Sequence, residues 1–180
     1  RYLLDCRKRN YLAYQKNLEV LRWNNPSLKA IERMVREYNS RIYERSITEE
    51  DFLSVCIGYC EAPTDFPIRL KLDPLRGDPE ALERKAEEIQ REFSMILHKP
   101  LVLNLGKLRL GVIGERKYIC EQLKILAAKL CFFHSYHELR LVPVFSEEED
   151  ADFSWMRWFP HCRIPEMNIL SFVESGRGKE

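Results

Sequence analysis

The sequence predicts an α/β fold: an N-terminal helical hairpin followed by a mixed sheet with flanking helices. Three observations carry the prediction. Apolar residues recur at helical spacing through residues 1–42. Short apolar runs bounded by Gly and Pro follow residue 50. The stretch 108–145 then reads as strand, helix, strand, a βαβ unit with a crossover of ordinary length. At 180 residues the chain is long enough for one sizeable core, and no interior linker divides it. The expected organisation is a helical hairpin over 1–45, an α/β domain over 46–175 and a tail over 176–180.

In order, residues 1–23 form a helix with Leu4, Tyr11, Tyr14, Leu18 and Leu21 as a narrow stripe of near-heptad spacing. Such a stripe suits packing against one partner helix. Asn24-Asn25-Pro26 breaks the helix, and Ser27 is placed to cap a second one. The face of that helix is Leu28, Ile31, Met34, Val35, Tyr38 and Ile42. The expectation is that part of the Leu18 seam packs on this second helix, and the rest on a neighbouring molecule. A strand over 52–57 ends at Gly58, and an alternating strand over 66–72 carries Pro67, which assigns it to a sheet edge. Asp78-Pro79 starts a third helix whose buried face is Leu82, Ala86, Ile89, Phe93 and Ile96. Strands over 101–105 and 108–113 flank Gly106-Lys107 as a hairpin, which makes the sheet mixed. The central helix presents Ile119, Leu123, Leu126, Ala127 and Leu130 on one face and leads into a last strand over 139–145.

Whether Gly111-Val-Ile-Gly114-Glu-Arg-Lys is a phosphate loop decides the function class. A P-loop places four residues between its glycines, so that successive backbone N–H groups wrap the phosphates, and then supplies Lys and a Ser or Thr for Mg²⁺. Here two residues separate Gly111 from Gly114, Glu115 brings negative charge to the helix start, and no Ser or Thr follows. The architecture of an NTPase half is expected without its chemistry. No cofactor is expected.

Composition narrows the remaining classes. Lys and Arg number 29 against 28 Asp and Glu, a net charge of +1. This balance lacks the basic excess of a nucleic-acid-binding domain. No apolar run approaches the roughly 20 residues of a membrane helix. The chain opens at Arg1, without Met and inside a helical pattern, as expected for a piece of a larger protein. Six cysteines are scattered without any CxxC and read as reduced core thiols. Cys56, Cys60 and a histidine would make a poor zinc set, because metal sites show tighter local ligand pairs. His134 and His137 sit where the central helix ends, a position that favours His as a donor to orphan carbonyls rather than as a ligand. Cys162 beside His161 is a weak nucleophile-base pair, since neighbours on an extended chain point apart. No catalytic residue and no metal ligand is assigned.

The most specific stretch is Phe153-Ser-Trp-Met-Arg-Trp-Phe-Pro-His161. Trp155 and Trp158, three apart on a short helix stopped by Pro160, are expected to be buried together and to pin the C-terminal segment to the sheet. The stretch resembles the Trp-x-x-Trp-Leu-Pro-His motif of the FtsK/SpoIIIE-type membrane ATPases of type VII secretion, the EssC/EccC family. Arg41-Ile-Tyr-Glu-Arg45 is similar to that family's Leu-Trp-Glu-Arg, and Asp51-Phe-Leu-Ser-Val-Cys-Ile-Gly58 to its Asp-Phe-Leu-x-Val-Arg-x-Gly. The Gly-Val-Ile-Gly strand end and the run from His134 to Leu139 match in spacing. The resemblance covers nearly the whole chain. The departures are Tyr43 for Trp, Cys56 for Arg, Cys60 for a second Gly and Phe159 for Leu.

The resemblance implies a degenerate P-loop-ATPase-like domain in the cytosolic stalk between the transmembrane helices and the first ATPase module of a hexamer-forming secretion motor. It implies a location at the cytoplasmic face of the plasma membrane. The implied partners are other subunits of the type VII machine and the chain's own flanking transmembrane and ATPase segments, with no nucleic acid. Catalysis is expected only in the parent's other modules. The residues expected to act as structural or interaction anchors are Trp155, Trp158, Pro160, His161, Phe52, Gly58, Gly111, Gly114 and Leu18. The competing readings are a regulatory domain that holds nucleotide without a standard P-loop, and a metal enzyme built from Cys and His.

Overall fold

A computed structural model describes residues 2–68, 79–164, 169–170 and 173–174. Two compact units emerge from the contacts: residues 1–27 with 56–102, and residues 28–55 with 103–180. This grouping cuts across the expected 1–45 hairpin, because its first helix lies in one unit and its second in the other. Among the described residues no helix is long and apolar enough to cross a membrane.

In the first unit, helix α1 (Tyr2–Asn24) packs on α3 (Pro79–Phe93). The spacing read for α3 holds for Ala86, Ile89 and Phe93, all buried. Ile96 is buried too, but it belongs to the strand that follows, since Ser94 ends the helix with its N–H and its hydroxyl both directed at the Arg91 carbonyl. The inward line of α1 runs through Cys6 and Asn10, with Tyr14, Leu18 and Leu21 half-buried. The heptad expectation is corrected at its start, because Leu4 is 70% exposed. A line at 6, 10, 14, 18 and 21 follows the 3.6-residue helical period, and Leu4 lies off it. The rings of Tyr11 and Tyr14 meet Phe93 at 6.5 and 5.8 Å between centroids, and Arg7 grips Glu92 through two hydrogen bonds of 3.0 and 2.8 Å.

Strands β1 (Ser54–Pro63) and β2 (Met95–Asn104) form a two-stranded ladder. Thr64 N–H donates to Ser94 O and Leu105 N–H to Leu53 O, both at 2.9 Å, which makes the pairing antiparallel. The strand therefore does not end at Gly58 but runs through it. Residues 66–68 are not strand, and the rest of the expected 66–72 strand, like the Asp78 cap, lies outside the described residues. At the far end of β1, Lys99 Nζ donates to Pro63 O at 2.7 Å and to the Asp65 carboxylate, which also accepts from Asn17 at 3.2 Å.

The second unit contains α2 (Leu28–Arg36) and α4 (Arg116–Phe133). Ile31 and Met34 of α2 meet Phe132 and Phe133 of α4, with Ala30 and Ile42 at the margin. The expected second helix is cut short at Arg36 by a Schellman closure: Asn39 N–H donates to Met34 O at 2.9 Å and Tyr38 N–H to Val35 O at 3.2 Å. Tyr38 holds the left-handed conformation of that closure, at φ 51°, with its side chain exposed.

The expected βαβ unit is not formed. Residues 108–113 are exposed and in no strand, so the 101–105/108–113 hairpin is corrected as well. Two local causes act. β2 is already paired with β1, and Asn104 turns the chain: its Oδ1 accepts from Gly106 N–H at 3.0 Å while its Nδ2 donates to Phe52 O at 3.0 Å and Ser54 Oγ at 3.2 Å. Of the expected 139–145 strand only β3 (Val144–Phe145) forms, and it pairs in parallel with β6 (Val173–Glu174). A 3₁₀ turn, α5 (Asp150–Phe153) and two further 3₁₀ turns lead to β4 (Arg163–Ile164), antiparallel to β5 (Ile169–Leu170). Arg116 at the start of α4 ties this region down through Glu149 at 2.7 Å and Asp152 at 2.9 Å. The fold is mixed α/β, and among the described residues parallel and antiparallel pairing occur in separate two-stranded ladders rather than in one sheet.

Candidate functional site

The C-terminal end of α4 is where the chain's most specific sequence runs meet. A helix end leaves its last carbonyls without intrahelical donors. Here the donors come from far away in sequence. Tyr43 N–H donates to Phe132 O at 2.8 Å and Arg45 N–H to Phe133 O at 2.9 Å. Residues 41–45 are thereby stitched to the helix end, with Tyr43 held at φ 64°. Such a conformation costs a residue bearing Cβ about 1–2 kcal/mol, and it persists because the hydrogen bond and packing over-determine it.

His134 caps the helix, as its position in the sequence suggests, but it does more than cap. It is 0% exposed. Its Nε2 lies 2.9 Å from Leu53 N–H, a donor, so Nε2 is the unprotonated nitrogen. Nδ1 therefore carries the proton and donates to Leu130 O at 2.9 Å. The Phe52 ring stands edge-on to the imidazole at 5.1 Å. Leu53 is also left-handed, at φ 59°, fixed by this bond and by the one its carbonyl accepts from Leu105. Burial holds His134 in its neutral form and lowers its pKa, while the bond to Leu130 opposes the shift.

His161 stacks a second layer on the first. It is 1% exposed, and its Nε2 donates to His134 O at 2.8 Å. Its Nδ1 is buried without a hydrogen-bond partner among the described residues. Tyr43 and Tyr136 present their rings edge-on at 6.0 and 6.3 Å. Burial lowers this pKa as well; the bond to His134 opposes the shift and the nearby Arg140 adds to it. Leu141 N–H donates to His161 O at 3.0 Å, and Arg140 donates to Pro160 O at 3.2 Å and Arg163 O at 2.8 Å. Together these bonds lock residues 139–141 against 160–163.

Arg45 closes the assembly. Its guanidinium lies 3.9 Å from the centroid of the Phe133 ring, forms an ion pair with Asp51 at 3.0 Å and donates to Ser54 O. Burial lowers its pKa, and Asp51 and Glu44 oppose the shift. Beside it Arg41 makes a bidentate pair with Glu44 at 2.8 and 2.5 Å.

The predicted anchors divide accordingly. Phe52, His161 and Pro160 are at the junction, the last through its carbonyl. Trp155 is half-buried, with its indole N–H bonded to Asp152 O at 2.7 Å and its ring edge-on to Phe159 at 5.8 Å. Trp158 is 76% exposed, which corrects the expected joint burial of the two tryptophans. The 3₁₀ turn ends at Trp158, and Phe159 leaves it in extended geometry (φ −84°, ψ 128°), so the Phe159 ring rather than that of Trp158 covers Trp155. Gly58 lies mid-strand and Gly111 in the exposed 108–113 segment; a Cβ at either would meet nothing within 4 Å. At Gly114 the nearest atom is a carbon of Tyr118 at 3.9 Å, so neither glycine of the loop is required by packing. Leu18 lines a cleft of the first unit with Tyr14, Leu21, Ile96 and Tyr59.

Sequence reasoning underrated Arg45, Leu53 and Asn104. Arg45 had a signal, since it closes the Arg41–Arg45 motif, whereas the role of Leu53 depends on its backbone conformation and that of Asn104 on side-chain partners some fifty positions away in sequence. The junction's chemistry is that of a lock. Its thiols are poor nucleophiles: burial, aided by Cys162, pushes Cys131 up to about 12, and burial also raises Cys162. Among the described residues no group of three or more His, Cys, Asp or Glu is placed to hold a metal.

No family model matches the chain. Curated relatives do. The chain is 30% identical over 165 residues to the ESX secretion system protein EccC of Geobacillus thermodenitrificans, and 30% identical over 173 residues to YukB of Bacillus subtilis. It is 27% identical over 189 aligned residues to the type VII secretion system protein EssC of Staphylococcus aureus. These alignments take in 91%, 96% and 98% of this chain. They cover 11–13% of the relatives, so the chain corresponds to about an eighth of their length.

Proposed function

We propose, from the premise that the chain is homologous to one segment of the EccC, YukB and EssC proteins, that it is a non-catalytic stalk or linker domain of a type VII secretion motor. In this reading it joins membrane helices to ATPase modules at the cytoplasmic face of the membrane, and it supports assembly for protein export. The observation that carries the reading is the convergence of four motifs on the end of α4. Residues 41–45, 52–53, 134–141 and 160–163 are joined there by hydrogen bonds and ring contacts, as suits a part that must keep its shape. Trp158 and the exposed Leu12, Val20 and Trp23 of α1 are the proposed contact surfaces towards other subunits, copies of the motor included. The α/β domain is read as an ATPase-like fold that has lost its phosphate loop.

The test is made in the full-length parent protein. Trp158→Ala and Leu12→Glu are expected to reduce export and assembly while the cellular level of the parent protein is unchanged. Normal export and native complex size with both substitutions overturns the reading. Calorimetry on the 180-residue chain is expected to show no Mg-ATP site. A stoichiometric site tighter than about a millimolar, roughly 4 kcal/mol of binding, would establish a regulatory nucleotide-binding domain instead.

A further inference from the structure

The two buried histidines form an ordered relay. Leu53 N–H donates to His134 Nε2, His134 Nδ1–H donates to Leu130 O, and His161 Nε2–H donates to His134 O. Every imidazole nitrogen in this chain of bonds is committed except His161 Nδ1, which is buried without a hydrogen-bond partner among the described residues. A proton arriving at His134 would have to displace Leu53 N–H. One arriving at His161 displaces no donor among the described residues and finds an open lone pair.

The surroundings do not welcome the resulting cation. The groups facing His161 are Tyr43 from the 41–45 segment, Tyr136, His134 at the helix end and Arg140 from the 139–141 segment. None of these is an anion. The acidic side chain near the relay, Asp51, acts on His134 together with Arg45. An imidazolium at His161 would be buried beside Arg140 with its new N–H unsatisfied, a costly arrangement that is relieved when the side chain reaches water.

We propose that His161 is the proton-accepting member of the relay and that its protonation releases the 160–163 segment from the end of α4, making the junction a pH-responsive latch. The proposal rests on the geometry of the junction and is independent of the stalk reading. The sign follows from linkage. A histidine favoured neutral in the folded state contributes stability that is fully present above its unfolded pKa of about 6.5, and that contribution is lost as pH falls below that value. One proton taken up per opening raises the opening equilibrium by at most about tenfold per pH unit. His134 resists longer, so the Leu53 bond outlasts the His161 bond.

The experiment uses the 180-residue chain labelled with ¹⁵N-histidine. At neutral pH, two-bond ¹H–¹⁵N spectra are expected to show His134 as the Nδ1–H tautomer and His161 as the Nε2–H tautomer. On acidification His161 is expected to titrate first, below about 6.5, with a parallel loss of hydrogen-exchange protection at Leu141 N–H, while Leu53 N–H stays protected. His161→Gln keeps a donor for His134 O but takes up no proton, so its Leu141 protection is expected to be flat between pH 6.5 and 5, whereas His134→Gln retains the acid response. The proposal is overturned if His161 is the Nδ1–H tautomer, if His134 titrates first, or if Leu141 stays protected while His161 charges. The same acid response in His161→Gln also overturns it. Should His161→Gln fail to fold, the tautomers and titration order of the unaltered chain decide.

Discussion

Arg45 concentrates three interactions that are hard to replace together: a face-on contact with Phe133, an ion pair with Asp51 and a bond to the Ser54 carbonyl. Arg45→Ala is expected to destabilise the chain by about 2–4 kcal/mol, because it strands a buried carbonyl and empties a packed site. Arg45→Lys is expected to recover little of this, since an ammonium has neither the planar face nor the fork. Urea melts of both variants measure the difference. The tryptophans separate in the opposite sense from the sequence expectation. Trp158→Ala should leave the melt within about 0.5 kcal/mol, while Trp155→Ala, which removes a half-buried ring from Phe159, should cost about 2 kcal/mol. The distinction was partly legible. Phe159 precedes Pro160, and a residue before proline is driven out of helical geometry. The turn therefore had to stop at Trp158, and a 3.6-residue pattern could not continue through it.

At the scale of elements, helices announced themselves and strands did not. The buried residues of α3 follow from their spacing because a helix face is determined within one segment, whereas on α4 only Ala127 and Leu130 of the expected face are buried, and Lys129 to Phe133 are enclosed all round by the junction at the helix end. Strand pairing depends on a distant partner, so 108–113, with the alternation of a strand, found none among the described residues once β1 had taken β2. The early end of α2 was invisible for a different reason: the left-handed position of its Schellman closure, usually Gly, is occupied by Tyr38. That occupancy yields a prediction. Tyr38 is 90% exposed, so Tyr38→Gly removes little contact and relieves a disfavoured backbone. The variant should be more stable by about 1 kcal/mol in a chemical or thermal melt, and a loss of stability would mean that the ring packs in a way its exposure conceals.

On the scale of the molecule, the junction was legible as four separate motifs but not as one place. No single-sequence pattern states that residues 41–45 and 160–163 share a helix end. The same non-locality governs both units, each built from two stretches of chain. Deleting residues 1–27 is therefore expected to harm the first unit rather than trim it, because α3 loses the helix that covers Phe93. Loss of cooperative unfolding in circular dichroism melts, with dye binding to the uncovered apolar face, is the expected result. A sharp, unshifted transition would show that α1 is dispensable for folding.

Leu53 and His134 stand 81 positions apart in the chain, and the last carbonyls of α4 take their donors from Tyr43 and Arg45, which are comparably remote. During folding the helix can nucleate from its own residues, but its final turn must fray until the distant segment has been captured. The entropy of closing so long a loop is charged before the cap returns anything. Completion of the junction is thus a late event on the folding path, and its disassembly an early one on the way back.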